Sequence, residues 1–176
     1  MLDLDVLIRP CPKDGPRYRP EVVARGGRSM FPYMVDPNTD TEMYESSDII
    51  KYLYEHYGNR GAPWVLSSNI TVLLGSLASA VRAARGGRYR KAKAPDEPLE
   101  LRGFEASPFV RLARETLCEL ELPYLLHPLG KGSAGRKAFV ERSGRMMVPY
   151  LADPNTGTEM FESADIRRYL LETYTA

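Results

Sequence analysis

Residues Pro32–Tyr57 and Pro149–Tyr174 are identical at 17 of 26 positions, 117 residues apart in one chain. Agreement at that level means internal duplication, so whatever one copy folds into constrains the other. Each copy reads as strand, turn, strand and helix. The turn is Asp36-Pro37-Asn38-Thr39-Asp40 in one and Asp153-Pro154-Asn155-Thr156-Gly157 in the other. Proline presets φ, and the fifth position calls for a left-handed residue, which glycine adopts freely and aspartate tolerates. Ser46 and Ser163 are placed to cap the helices that follow, with Asp48 or Asp165 in the first turn. Ile49, Tyr52, Leu53 and Tyr57, and likewise Ile166, Tyr169, Leu170 and Tyr174, then recur at helical spacing.

The duplication extends unevenly beyond this. Leu2–Ile8 alternates and then turns apolar, as a strand does, and its counterpart is Leu120–Leu126 with a one-residue shift. The proline-rich Arg9–Arg19 reads as loop, and Arg25–Arg28 mirrors Arg142–Arg145 as a turn feeding the next strand. Only the second copy opens with a further strand, Leu99–Glu105, and a helix begun by Pro108, where the missing N–H costs nothing. Phe109, Ala113, Leu117 and Leu120 mark the expected buried face of that helix. The expected organisation is a partial copy over 1–58, a linker over 59–98 and a complete copy over 99–176. Within the linker, Ile70, Leu73, Leu74, Leu77, Val81 and Ala84 predict an amphipathic helix that packs on the domains.

Composition narrows the class. A chain 43% hydrophobic and 27% charged suits a buried core under a hydrated surface. A net charge of +1 gives no global field toward nucleic acid or anionic lipid, so the basic run Arg82–Lys93 reads first as a solvated linker, with contact to RNA or acidic lipid as the alternative. Ile70–Ala84, interrupted by Ser76, Ser79 and Arg82, is too short to span a bilayer. Cys11 and Cys118 fall at non-equivalent places and form no CxxC or zinc set. His56 and His127 belong to no ligand cluster, so no metal is expected. No signal peptide is legible at Met1–Asp5.

The order of elements in the second copy, with Glu105-Ala106-Ser107-Pro108-Phe109-Val110-Arg111, Val148-Pro149-Tyr150-Leu151 and Phe161-Glu162-Ser163-Ala164-Asp165-Ile166, resembles the thioredoxin-like N-terminal domain of glutathione S-transferases. More closely, the chain is similar to tandem glutathione S-transferase N-terminal-domain proteins of the thioredoxin-like superfamily, which are glutaredoxin-like. The resemblance covers Leu99–Tyr174 fully and Leu2–Tyr57 in part. It implies an α/β, thioredoxin-like fold in two tandem copies, the first lacking its initial strand and helix. Glutathione is the implied ligand or cosubstrate.

Where relatives carry a Cys-Pro-x-Cys turn, this chain has Ser107 and Val110. A serine hydroxyl forms no mixed disulfide, so redox cycling through this turn is excluded. Two readings of Ser107 stand open: a catalytic donor to a glutathione thiolate, or a cap for the helix that Pro108 opens. The resemblance also implies a cis Pro149, with Val148 pairing to the cysteinyl part of the ligand and Phe109 lining the site. It assigns Glu162 and Ser163 to the γ-glutamyl end, where a helix N-terminus suits a carboxylate. Against this stand purely structural roles as fold determinant and hairpin support.

Two functional classes follow. One is a glutathione-binding, serine-type transferase-like or thiol-handling protein. The other is a non-catalytic thioredoxin-like scaffold for a protein partner or homodimer. A full transferase also needs a helical C-terminal domain, so conjugation of bulky electrophiles is not expected. The expected compartment is the cytoplasm, or a plastid if a lost N-terminus carried a transit peptide. In the first copy nothing matches Leu99–Leu117, and Leu2–Ile8 is left without a sheet neighbour. N-terminal truncation is the favoured explanation, beside a strand from another molecule or a different packing of the half-domain.

Overall fold

The structure, a computed structural model, describes residues 2–59, 61, 63 and 86–176. In chain order the described elements are β1 (Val6–Ile8), α1 (Tyr18–Gly26), β2 (Tyr33–Asp36), β3 (Thr41–Tyr44), α2 (Ser46–Tyr57), β4 (Leu99–Gly103), α3 (Pro108–Glu119), β5 (Tyr124–Pro128), α4 (Gly135–Ser143), β6 (Tyr150–Asp153), β7 (Thr158–Phe161) and α5 (Ser163–Tyr174). The expected amphipathic helix over Ile70–Ala84 lies outside the described residues. The fold is mixed α/β and thioredoxin-like. It divides into two compact units: residues 3–18 with 86–176, and a second unit containing residues 19–59.

The first unit is built on a five-stranded sheet of order β1-β5-β4-β6-β7. β4 runs parallel to β5 and antiparallel to β6, and β6 is antiparallel to β7. Leu99 and Leu101 alternate onto one face of β4 and meet Leu151 of β6, then Val110, Ala113 and Leu117 of α3 and Ile166, Leu170 and Tyr174 of α5. On the opposite face Tyr150 and Ala152 pack against Phe139 of α4. A strand covered on both faces reads as a continuous buried run, and all four residues of β6 are buried. Full burial of an aliphatic side chain contributes about 1.5–3 kcal/mol. Leu99, Leu101, Leu117, Leu120, Leu122, Leu151, Ile166 and Leu170 are all fully buried, so this cluster supplies most of the unit's stability.

Two local expectations shift here. The helix α3 presents Val110, not Phe109, to the core, and Phe109 stands 57% exposed. The cause is Gly103 at the end of β4: a Cβ there would lie 2.7 Å from a Val110 methyl, so helix and strand approach closely at that residue pair. The expected strand from Leu120 begins only at Tyr124. Leu120–Pro123 instead forms a buried turn in which Glu121 has φ 51°, and Leu122 N–H donates to the Leu117 carbonyl.

β1 has the neighbour that the repeat alone denied it. It pairs antiparallel with β5, the strand it duplicates, in the register Val6–Leu126, Leu7–Leu125, Ile8–Tyr124. Arg9-Pro10 aligns with His127-Pro128, so Leu7 lies opposite its own counterpart and the two strands are related by a local two-fold. The chain beyond β1 is also tied down. The buried Glu121 carboxylate accepts the Arg17 and Tyr18 N–H groups, both at 3.1 Å, while Arg17 Nη1 donates to the Glu121 carbonyl at 3.0 Å. Lys13 N–H donates to the Gly87 carbonyl at 2.7 Å.

The second unit holds α1 from Arg19 onward, the β2–β3 hairpin and α2. Its hairpin register, Tyr33–Tyr44 to Asp36–Thr41, repeats that of β6–β7, Tyr150–Phe161 to Asp153–Thr158. The turn closes as its residues require, with Asp40 at φ 53° and Gly157 at φ 72°. Among the described hydrophobic residues of this unit, Tyr52 is the buried one.

Candidate functional site

Strand register assembles the site in the first unit. Arg102 pairs with Tyr150, and Tyr150 pairs with Phe161, so three strands end in line. The chain leaves β4 through Phe104–Ser107, enters β6 through Val148–Pro149, and leaves β7 through Glu162 into α5. Ser107, Val148–Pro149 and Glu162–Ser163, far apart in sequence, are thereby delivered to one end of the sheet. Phe109 extends from the first turn of α3 at that end.

Ser107 is the N-cap residue of α3, with φ −77° and ψ 120°, and Pro108 opens the helix. Its Oγ accepts the Val110 N–H at 3.4 Å, a long and weak bond. The hydroxyl proton donates to no described group, although the residue is only 4% exposed. Both readings of Ser107 are therefore compatible in one side chain, since a hydroxyl accepts and donates at once. The turn is braced by Arg114, which pairs with Glu105 and donates from Nε to the Tyr124 hydroxyl at 3.1 Å.

The Val148–Pro149 peptide is cis, and so is Phe31–Pro32 in the other copy. Glu162 adopts φ 66°, ψ 117°, and Glu45 repeats it at φ 68°, ψ 112°. A non-glycine residue held there costs on the order of 1–3 kcal/mol and persists only where the surroundings impose it. The capping expectation changes at this point. Glu162 and Glu45, rather than Ser163 and Ser46, occupy the N-cap positions, and neither makes a side-chain cap bond. The first helical bond of α5 runs from Ile166 N–H to the Glu162 carbonyl. The preceding amides and the Ser163 hydroxyl thus have no described partner, and donors left unpaired at a helix N-terminus suit an anion.

The family model described as "Glutathione S-transferase, N-terminal domain" matches residues 1–61 and 101–176. The chain belongs to that family. No curated protein matches it. The two matched segments of this glutathione S-transferase N-terminal-domain protein contain the two copies of the repeat.

Two polar networks not expected from the sequence brace the β6–β7 hairpin, one beside Tyr150 near the site and one at the opposite, turn end. Tyr150 and Arg142 both bind Glu159, whose carboxyl these two hydrogen bonds hold below the ordinary range; burial and Glu159 in turn raise the Tyr150 hydroxyl. Phe139, Tyr150 and Phe161 stack edge-on around this pair, and Arg145 lies 4.2 Å from the Phe161 ring centroid. At the hairpin turn the buried Asp153 accepts four hydrogen bonds. They come from Tyr169 (2.7 Å), Tyr174 (2.6 Å), Asn155 N–H (2.9 Å) and Asn155 Nδ2 (2.8 Å). Burial pushes the Asp153 carboxyl up, but the hydrogen bonds from Tyr174, Tyr169 and Asn155 outweigh it and leave it lowered. The first copy repeats this with Asp36, Tyr52, Tyr57 and Asn38. The signal was present in the sequence: the same Asp-Pro-Asn-Thr turn precedes the same two tyrosines in both copies.

Among the described residues no metal-ligand cluster is present and no helix is long and apolar enough to cross a membrane. Burial raises the Cys118 thiol to about 11, with Cys11 adding to the shift, so it is a poor nucleophile.

Proposed function

We propose that the first unit binds glutathione across this sheet end, with Ser107 donating a hydrogen bond from its hydroxyl to the sulfur. The backbone at Val148 pairs with the cysteinyl segment, and the apolar ring of Phe109 shields the thiol from water. The γ-glutamyl carboxylate sits on the free amides at the start of α5 with the Ser163 hydroxyl, while Glu162 pairs with the ligand's ammonium. The observation that carries this reading is the alignment of Arg102, Tyr150 and Phe161, which brings the three segments together. A hydrogen bond from Ser107, reinforced by the α3 N-terminus, favours the thiolate over the thiol. The chemistry available is thiolate attack on an electrophilic carbon with loss of its leaving group, Ser107 keeping its own proton throughout. A dithiol redox cycle has no counterpart in this turn, because Ser107 and Val110 stand where the two cysteines would.

Calorimetric titration of the full chain with glutathione tests this. Saturable heat that weakens on Ser107→Ala and on Glu162→Gln is expected. Absence of heat at millimolar glutathione, with Ser107→Ala indistinguishable from the parent, refutes it and leaves the non-catalytic scaffold. That second reading is favoured by one observation, the serine and valine in place of both turn cysteines.

A further inference from the structure

The two copies of the hairpin–helix unit differ in what covers them. In the complete copy, β6 lies between β7 and β4, with Leu101 opposite Leu151, and α3 packs beside α5. Leu151, Ile166, Leu170 and Tyr174 are accordingly at most 5% exposed. Their first-copy equivalents, Met34, Ile49, Leu53 and Tyr57, are each only half-buried. Among the described residues β2 has a strand on one side only, β3. Among the described residues the N–H and C=O groups of its outer edge have no strand partner and lie beside a partly uncovered apolar face, and such an edge is a template for another strand.

Everything that shapes the receiving surface in the complete copy is retained in the first. The hairpin register is the same, the aspartate–tyrosine network is the same, and the helix begins from the same backbone conformation at Glu45. Apolar residues also persist at the four covered positions. Exposed positions on a solvated helix face have no physical need to stay apolar, whereas positions under a partner do.

We propose that the outer edge of β2 and the face formed by Met34, Ile49, Leu53 and Tyr57 receive a strand–turn–helix segment of another polypeptide, patterned as Leu99–Glu119 is. The strand runs antiparallel to β2, placing an apolar side chain opposite Met34 as Leu101 stands opposite Leu151. A proline-opened helix follows, covering Ile49 and Leu53 with small and aliphatic residues spaced as Val110, Ala113 and Leu117 are. Main-chain bonds along β2 supply pairing, and the helix face supplies specificity, as in other cases of strand addition. This is independent of glutathione binding, which concerns the other unit.

The probe is a synthetic peptide of the sequence Leu99–Glu119, added to the full chain, with hydrogen exchange read at Tyr33–Asp36. The expected result is a saturable slowing of those amides, on the order of tenfold or more at saturation. The slowing should disappear with a peptide carrying Leu101→Lys and Leu117→Lys, which leaves the protein unaltered, and on Leu53→Glu in the protein. Unchanged exchange at millimolar peptide overturns the proposal, as does equal slowing by the lysine-substituted peptide. Sedimentation covers the remaining occupant. A dimer in which the β2 amides are already slow, and which dissociates on Leu53→Glu without peptide binding, also overturns it, and assigns the surface to a second copy of this chain.

Discussion

Replacing Tyr174 by phenylalanine removes one oxygen and tests how the buried Asp153 is held. The Tyr174 hydroxyl lies 2.6 Å from Asp153 Oδ2, and the same carboxylate keeps Tyr169 at 2.7 Å and both Asn155 donors. The ring stays in the core, so almost no cavity forms and the loss is that of a single hydrogen bond to a charged group. Such bonds contribute about 1.5–3 kcal/mol, against about 0.5–1.5 kcal/mol between neutral groups. Native-state hydrogen exchange at Leu99–Gly103 reads the opening of this unit directly. At neutral pH, Tyr174→Phe should speed exchange there by roughly ten- to a hundredfold, since each 1.4 kcal/mol is about a factor of ten. The sign with pH follows from the lowered carboxyl of Asp153. A group whose folded pKa lies below its unfolded value stabilises above the unfolded value, about 3.9 for aspartate, and that stabilisation fades as pH falls through the folded one. Below both, Asp153 is neutral in either state, so the gap between parent and variant should narrow toward the neutral-bond figure. A difference under about 0.5 kcal/mol at neutral pH, or one that widens in acid, would refute the reasoning.

Further expectations follow from the contrast between the copies and from the site. Leu170→Ala, in the full core, should cost about 2–5 kcal/mol by denaturant titration, while Leu53→Ala, at its half-buried equivalent, should cost clearly less. Glu162→Gly should relieve a backbone cost of about 1 kcal/mol or more, raising stability while weakening glutathione binding in the calorimeter. With its thiol near 11, Cys118 should have about a hundredfold less thiolate at pH 8 than an ordinary thiol of pKa 9. Mass-resolved alkylation should therefore label it correspondingly more slowly than a free thiol in a peptide.

The duplicated Asp-Pro-Asn-Thr turn, the paired strands around it and the following helix were legible because their causes are local. Proline and a left-handed fifth residue set the turn, and apolar spacing sets the strand and helix faces. The serine in place of the turn cysteine was equally plain, since it is a matter of residue type. Phase was less accessible. Phe109 and Val110 are both apolar and adjacent, and only the close approach of Gly103 to Val110 decides which one enters the core. The helix starts at Glu45 and Glu162 escaped for a similar reason, because a strained backbone there is imposed by the surrounding fold and not by any propensity of glutamate.

Alone, the sequence determined the repeat, the thioredoxin-like order of elements in its second copy and the absence of a redox pair in the turn. Tertiary structure decided that β1 joins the sheet of the other copy, pairing with the strand it duplicates. It also decided that Ser107, Pro149 and Glu162 meet at one sheet end, and that Asp153 lies buried under two tyrosine hydroxyls. The physical reason is that strand pairing is non-local. A three-residue strand carries almost no information about its partner, and register is fixed by whichever edge offers unpaired hydrogen bonds and an apolar face.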